Sequence, residues 1–296
     1  MDVRKFTWAD LPKLTTLMGL ANPSAEGLNT EERLAEDLGR PGLHPEDNCA
    51  LFEEGGDLVA ASLIHPELLI SRAVLEMWAH PKHIGPSLQS TVVQKAIFHA
   101  KSMGSRVLHV CVSPSGPWPV LVEKEGLAKV RTYWLMRWQE PSLPLVEVPE
   151  GLKLGRYRPG NAEELTVIQN AAFGGHWGFC PNTPDEIAYR AEMSISPHDG
   201  ILLLRSDAAT VGYCWTCTLG DVPHSTGVIS MIGIDPAYRG KGLSRPVLLA
   251  GMEYLRSRDV QYVQLDVDSE NTPAVKLYSS IGFKVVEELH WFEASL

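Results

Sequence analysis

The sequence predicts an α/β fold (α+β by some schemes) built from one strand–helix pattern used twice. Three observations carry this. Gln139 to Gly151 holds three prolines and three glutamates and separates two halves; its composition reads as an extended linker. The halves show the same order of elements. Matching landmarks also keep their spacing, since Pro81 to Gly126 is 45 residues and Pro236 to Gly282 is 46, as two copies of one βα unit would give. Residues 1–138 and 152–296 are therefore expected to be two domains joined by residues 139–151.

In the first half, Val3 to Phe6 reads as a strand before a helix near Leu11 to Leu20, and Thr30 to Leu38 reads as a second helix. Cys49 to Phe52 and Leu58 to Ile64 read as strands, and Val74 to Trp78 as a strand entering a loop at Ala79-His80-Pro81. A long helix over Leu88 to Met103, a strand over Val107 to Val112 and a short helix over Pro119 to Lys124 follow. Tyr133, Trp134 and Trp138 alternate as a closing strand would, which marks them for core and interdomain packing rather than a ligand cage.

The second half repeats the order. Leu152 to Tyr157 is a strand candidate, and Asn161 is placed to cap a helix through Phe173. Thr183-Pro184-Asp185-Glu186 has a capping residue, a proline at the first position and acids in the first turn, which opens a second helix. Ile201 to Arg205, Val211 to Leu219 and Val228 to Ile234 read as strands. From Leu243 onward, Val247, Leu248, Met252 and Leu255 share one stripe of a helix with Leu243. Pro246 falls in its first turn, where a missing amide costs little. Tyr262 to Val267 alternates as a strand, Pro273 to Ser280 is a helix, and Phe283 to Phe292 is a closing strand.

Composition narrows the function. Hydrophobic content of 44% and charged content of 21% belong to a globular chain. The start, MDVRKFTWADL, has no apolar signal region and no apolar run approaches membrane-spanning length, so no membrane partner and a cytoplasmic location are expected. Five cysteines without framework spacing fit a reducing compartment. The net charge of −10 argues against nucleic-acid binding, which depends on neutralising phosphates. It suits solubility and the attraction of a cationic amine.

The chemistry concentrates at Ile234 to Ser244, IDPAYRGKGLS. A short apolar strand runs into Arg239-Gly240-Lys241-Gly242-Leu243-Ser244, and a helix begins there. Gly240 and Gly242 let the backbone take conformations that a Cβ forbids. The unpaired amides of the helix's first turn and its dipole favour an anion, and Arg239 and Lys241 add positive charge. The loop reads as a pyrophosphate cradle. A dinucleotide fingerprint needs a third glycine that Ser244-Arg245-Pro246 does not supply, and a P-loop needs a Gly-Lys-Ser/Thr that is absent.

Arg239-x-x-Gly242-x-Ser244 resembles the acyl-CoA loop of the GNAT N-acetyltransferase superfamily, with Ser244 in place of the usual final glycine or alanine. The resemblance extends to that family's second motif, here Asn271 followed by Leu277, Tyr278, Gly282 and Phe283. It implies two tandem GNAT-like domains, each a mixed, mostly antiparallel sheet flanked by helices, whose central strands splay to admit acyl-CoA. The architecture resembles the tandem members of the superfamily, typified by mycothiol synthases. The resemblance implies acetyl-CoA as co-substrate and no metal. It assigns cofactor contacts to Met231, Ile232, Gly233 and Ile234 on the strand, to Arg239, Gly240, Lys241, Gly242, Leu243 and Ser244 in the loop, and to Asn271, Ala274 and Tyr278 beyond it. Tyr278 matches the position that protonates the departing coenzyme A sulfur.

The general base is not on the strand before the loop, since Gly227 to Ile234 holds no carboxylate or histidine. His176, Asp221, His224 and Asp268 are the candidates, and His176 is singled out because Phe173-Gly174-Gly175-His176-Trp177-Gly178 lies where this fold lines its acceptor pocket. A histidine there has the right intrinsic acidity, although a loop histidine held by backbone is the plainer reading. Cys214 and Cys217 have metal-pair spacing, yet residues three apart on a strand face opposite sides. His80 and His83 are expected to lack carboxylate partners. The first copy has Ile84, Ser87 and Gln89 where the second has Arg239, Gly242 and Ser244, with Pro86 at the place of Lys241 and Ser115 and Val122 at those of Asn271 and Tyr278. It is expected to be degenerate.

The expected function is N-acetyl transfer from acetyl-CoA to a primary amine of a small-molecule or peptide acceptor, by direct attack in the second domain of a monomer or homodimer. The alternative is a noncatalytic acyl-CoA sensor that keeps the cradle and has lost turnover.

Overall fold

A computed structural model describes residues 1–22, 29–220 and 225–296. The chain divides into two compact units, Met1–Tyr133 with Glu288–Leu296 and Trp134–Glu287. In chain order the first half carries β1 (Asp2–Lys5), α1 (Leu11–Ala21), α2 (Glu31–Leu38), α3 (Pro45–Asn48), β2 (Cys49–Glu54), β3 (Asp57–Glu67) and β4 (Arg72–Ala79). It continues with α4 (Pro86–Ser102), β5 (Val107–Val112), α5 (Pro119–Lys124) and β6 (Ala128–Trp138). The second half carries β7 (Lys153–Arg156), α6 (Ala162–Phe173), α7 (Pro184–Glu192), β8 (Ile201–Arg205), β9 (Thr210–Leu219) and β10 (Thr226–Ile234), then α8 (Ser244–Arg256), β11 (Tyr262–Asp268), α9 (Thr272–Ile281) and β12 (Lys284–Ser295).

The helix starts follow local chemistry. Thr183 Oγ1 accepts from the Glu186 amide at 3.3 Å while the Glu186 carboxylate accepts from the Thr183 amide at 2.6 Å. This reciprocal cap satisfies two amides that a helix start leaves unpaired. Thr30 caps α2 through the Arg33 amide. Asn161 departs from expectation: its side chain accepts from the Arg158 amide at 3.1 Å and makes no cap bond to α6.

Within each unit the described ladders are antiparallel apart from one parallel pair. In the first unit β1, β2, β3 and β4 run antiparallel in turn and β4 pairs parallel with β5. In the second, β7, β8, β9 and β10 run antiparallel and β10 pairs parallel with β11. The parallel pairing is short in both. Arg72–Leu75 of β4 meets Val107–Val110 of β5, and Thr226–Val228 of β10 meets Tyr262–Gln264 of β11. Beyond Leu75 and Val228 the paired strands part, so each unit has a sheet that opens at its middle. The GNAT-like splay expected from the sequence is thus present in both copies.

The C-terminal strand does not end where the sequence placed it. His290–Ser295 of β12 pairs with Val112–Val107 of β5, and Phe292 and Ala294 bury in the first unit's core. Met136 and Trp138 of β6 bury in the second unit's core, where Trp138 Nε1 donates to the Ile281 carbonyl at 3.1 Å. Strand alternation fixes which residues bury and leaves the partner strand open.

Each sheet is covered on both faces. In the second unit, Leu165, Ile168 and Ala172 of α6 and Ile187 of α7 pack on Tyr213 and Trp215. On the other face, Val247, Leu248 and Leu255 of α8 and Ile281 of α9 pack on Val263, Leu265 and Val267. Cys214 buries in this α8 layer and Cys217 in the α6 layer, as strand periodicity requires. Among the described residues no cluster of His, Cys, Asp and Glu is placed to hold a metal.

Candidate functional site

The site grows from the point where β10 leaves β11. After Val228 the β11-facing edge of β10 has no ladder partner among the described residues. A register shift between Ile229 and Met231 marks a bulge at Ser230; such bulges turn a strand and interrupt its pairing. The residues that follow alternate between the two faces. Ile232 and Ile234 pack into the α8 layer, and Met231 packs into the α6 layer. Gly233 allows close contact, since a Cβ there would lie 2.6 Å from the Ala172 Cβ and 2.9 Å from the Tyr213 ring. The Asp235 amide donates to the Val211 carbonyl of β9, so by strand alternation Met231 and Gly233 turn their backbone groups to β9 while Ile232 and Ile234 turn theirs to the opening.

The loop beyond β10 holds two left-handed residues, Gly240 (φ 76°) and Gly242 (φ 75°), a conformation that L side chains rarely take. Among the described residues the amides of Gly240, Lys241, Gly242 and Leu243 donate to no backbone acceptor, and α8 begins at Ser244 with Leu243 as its cap. Four free amides, a helix start and solvent on the outer side make an anion cradle.

The cations around the cradle have distinct tasks. Lys241 Nζ sits 4.7 Å over the Tyr238 ring. Arg245 in the first turn of α8 reaches Ser280 Oγ at 3.1 Å, joining α8 to α9. Arg239 points inward: its Nη2 donates to the Ala172 carbonyl at the end of α6 and its Nε to the Ile234 carbonyl at 3.3 Å. It clamps the loop to α6, a role the motif does not reveal. Arg245 was not singled out by the sequence because its pattern with Ser244 and Pro246 reads as an ordinary helix start.

Asn271 caps α9, accepting from the Ala274 amide at 3.3 Å; Ala274 packs on the α8 layer. One helical turn further, Tyr278 is 6% exposed and stacks near Phe283 at 5.9 Å between centroids. Burial, and to a lesser degree the neighbouring Cys214, hold its phenol well above the usual tyrosine range, so it keeps its proton at any ordinary pH.

His176 follows α6 in a tight turn, its amide donating to the Phe173 carbonyl at 2.8 Å and its ring 4.9 Å from the Phe173 ring. Its acidity is shifted toward the neutral form, first by burial and then by Arg239, with Asp268 opposing. The residue is exposed, so water screens part of these effects. Arg239, held on the Ala172 carbonyl, lies at the same end of α6 that His176 follows. Tyr278 lies in the α8 layer, and Phe173, beside His176, lies in the α6 layer. Asp221 and His224 fall outside the described residues. Gln169 and Tyr213 were missed by the sequence: the Gln169 amide and the Tyr213 hydroxyl are buried beneath β10 without a hydrogen-bond partner among the described residues, and nothing in a helical glutamine or a strand tyrosine announces this.

The first copy has lost the cradle. Gly85 is extended (φ −173°), and the amides of His83 and Ile84 are consumed by the His80 carbonyl at 2.9 and 3.1 Å. Gln89 turns inward to the Pro117 carbonyl at 2.7 Å, and Val122 is fully buried. His83 does have a carboxylate neighbour, contrary to expectation: Glu54 lies 3.3 Å from its Nδ1. Glu54, the last residue of β2, reaches it because the β2–β3 turn lies beside the loop, where the His80 amide donates to the Val59 carbonyl at 2.8 Å; spacing alone does not show this.

Residues 162–283 match the acetyltransferase (GNAT) family. The structure is similar along 99% of its length to a GCN5-related N-acetyltransferase from Sphaerobacter thermophilus, at 20% identity, TM-score 0.75 and 95% coverage of that chain. A tandem GNAT protein from the clavulanic acid biosynthesis pathway gives 16% identity and TM-score 0.75 over 99% of this chain and 98% of that one. The chain belongs to the GNAT acetyltransferase family and is an acyltransferase that uses acetyl-CoA. Its similarity runs through most of the length of proteins named mycothiol acetyltransferase. The one from Nocardia farcinica is 31% identical over 270 residues, 89% of this chain and 87% of that protein. The one from Segniliparus rotundus is 30% identical over 259 residues, 84% of this chain and 96% of that protein.

Proposed function

We propose that the second unit binds acetyl-CoA and transfers its acetyl group directly to the primary amine of a small, thiol-bearing acceptor. The observation that carries this reading is the parting of β10 from β11 after Val228, followed directly by four unpaired loop amides. The amides of Gly240 to Leu243 and the start of α8 hold the diphosphate, with Lys241 and Arg245 supplying charge. The free edge of Ile229 to Ile234 hydrogen-bonds the pantetheine arm as a further strand would, and Asn271 and Ala274 flank it.

In the reaction the amine nitrogen attacks the thioester carbonyl carbon. The C–N bond forms, the C–S bond breaks, and the thiolate takes the Tyr278 proton. The proton lost by the amine passes to His176, directly or through water, and returns through solvent to Tyr278. A phenol whose acidity is suppressed by burial stays protonated until a thiolate forms beside it, and a histidine held neutral is ready to accept. Holding both reactants in one cleft supplies much of the rate, because the uncatalysed reaction is bimolecular. The acceptor class is supported by the names of the full-length relatives and by the acidity of the chain, which attracts an ammonium. The first unit keeps the fold without the cradle.

The test is release of coenzyme A thiol from acetyl-CoA over a panel of amines, with and without a neighbouring thiol, alongside calorimetric binding of acetyl-CoA. Turnover fastest on thiol-bearing amines supports the reading. Binding with no release on any amine makes the protein a sensor.

A further inference from the structure

The two units differ at one place that the transfer reaction does not use. Strand register makes the comparison: Cys49 pairs with Leu63 as Ile201 pairs with Trp215. Asn48, Ser62 and Ile64 are thus the counterparts of Gly200, Cys214 and Thr216. The matched prolines 81 and 236 make Ala96 and His99 the counterparts of Gly251 and Tyr254. In the second unit these groups close on one another. A Cβ on Gly200 would lie 2.6 Å from the Tyr254 ring and 2.4 Å from Thr216 Oγ1, and one on Gly251 would lie 2.4 Å from Cys214 Sγ.

In the first unit the same place is a cavity of about 160 Å3 lined by Asn48, Ser62, Ile64, Ala96 and His99. Asn48 and Ser62 are 6% and 3% exposed, and neither side chain is hydrogen-bonded among the described residues. His99 Nε2 is likewise buried without a partner. Buried polar groups are almost always paired; the unpartnered His99 Nε2, with Asn48 and Ser62 open to the same space, points to something that enters it. One part of the wall is aliphatic: Ile64 and Ala96 belong to the first unit's core.

The charged groups that line the cavity are Arg4, Lys5, Lys95 and Asp47. Lys5, Lys95 and Asp47 all act on His99. Asp47 is answered by Lys5 at 2.7 Å, and Arg4 is held by Asp10 and Glu53 at 2.6 and 2.8 Å. The Lys95 ammonium, 5.9 Å from the Phe98 ring, has no carboxylate among the described residues. We propose that this cavity binds a small carboxylate with a short branched aliphatic tail, its charged end among Lys95, His99, Asn48 and Ser62 and its tail on Ile64 and Ala96. A cavity of roughly 150 Å3 takes a benzene ring, so the ligand has about six to eight heavy atoms.

The probe is isovalerate, titrated calorimetrically into the full chain, with isovaleramide as an uncharged comparator of the same shape. One site of about millimolar affinity or tighter is expected, in line with the binding energy open to so few atoms, and the amide is expected to bind about tenfold more weakly. The double variant Asn48→Gly with His99→Tyr rebuilds the second unit's packing; it is expected to lose binding with its melting temperature unchanged or raised. Lys95→Met, at an exposed position, is expected to weaken binding at least about fivefold without altering melting. No isotherm with isovalerate overturns the proposal, as does equal binding of the amide. Wild-type affinity in Lys95→Met overturns it even where the double variant fails to fold.

Discussion

Gly242→Val separates binding from stability at the cradle. Gly242 has φ 75°, yet a Cβ there would meet nothing within 4 Å. The substitution therefore introduces backbone strain and no collision. Holding an L residue in this region costs roughly 1–2 kcal/mol, and more for a β-branched one. The loop either bears that cost or swings to negative φ and turns its amides away. Each amide–phosphate hydrogen bond is charge-assisted and contributes about 1.5–3 kcal/mol. Loss of one or two raises Kd between about tenfold and about ten-thousandfold, at roughly 1.4 kcal/mol per tenfold. The assay is calorimetric titration with coenzyme A beside thermal melting. Gly282→Val is the control: φ is 108° and its Cβ would lie 2.9 Å from Glu140 Cγ, so it is expected to lower melting more than Gly242→Val does. A Gly242→Val protein that binds coenzyme A within threefold of wild type would refute the reasoning.

Further expectations concern proton transfer and the first unit. Tyr278→Phe is expected to lower kcat by about 10²–10⁴-fold with the affinity for acetyl-CoA unchanged, measured by single-turnover thiol release. His176 accepts a proton only when neutral, so kcat/KM is expected to fall as pH drops through a value below the ordinary histidine value of about 6.5; His176→Gln removes that limb. Asp268 raises the His176 value, so Asp268→Asn is expected to move the acid limb to lower pH, and movement upward would count against His176 as the base. In the first unit the Arg4 guanidinium and the Thr7 groups hold Asp10 well below the usual carboxylate range. Its stabilisation is present above the unfolded value of about 4 and is lost as pH falls below it. Asp10→Asn is expected to cost about 2 kcal/mol at pH 7, since hydrogen bonds to charged groups contribute roughly 1.5–3 kcal/mol, and to flatten the acid-side loss seen by denaturation from pH 6 to 2.

Local chemistry made much of the fold legible. Thr183-Pro184-Asp185-Glu186 reads as a helix start because every bond it makes is within one turn. Cys214 and Cys217 read as opposite-facing because strand period is fixed. The turns of the loop after β10 were readable because left-handed backbone favours glycine, here at 240 and 242. What stayed hidden is nonlocal or too short. Pro45–Asn48 is a single turn with no periodicity to detect. The pairing of β12 with β5 joins residues about 180 apart in sequence, which alternation cannot choose. The inward turn of Arg239 depends on a carbonyl 67 residues away, which the motif does not show. The bulge at Ser230 has no glycine to announce it, and the cavity behind α4 appears only when both copies are compared in three dimensions.

The most direct test follows the backbone amides themselves by 1H–15N NMR as coenzyme A is added. The Gly240 and Gly242 amide protons should move strongly downfield together, saturating with the calorimetric Kd, while Gly85 in the first copy stays in place. Saturable binding that leaves Gly240 and Gly242 unmoved, or that shifts Gly85 instead, contradicts the account.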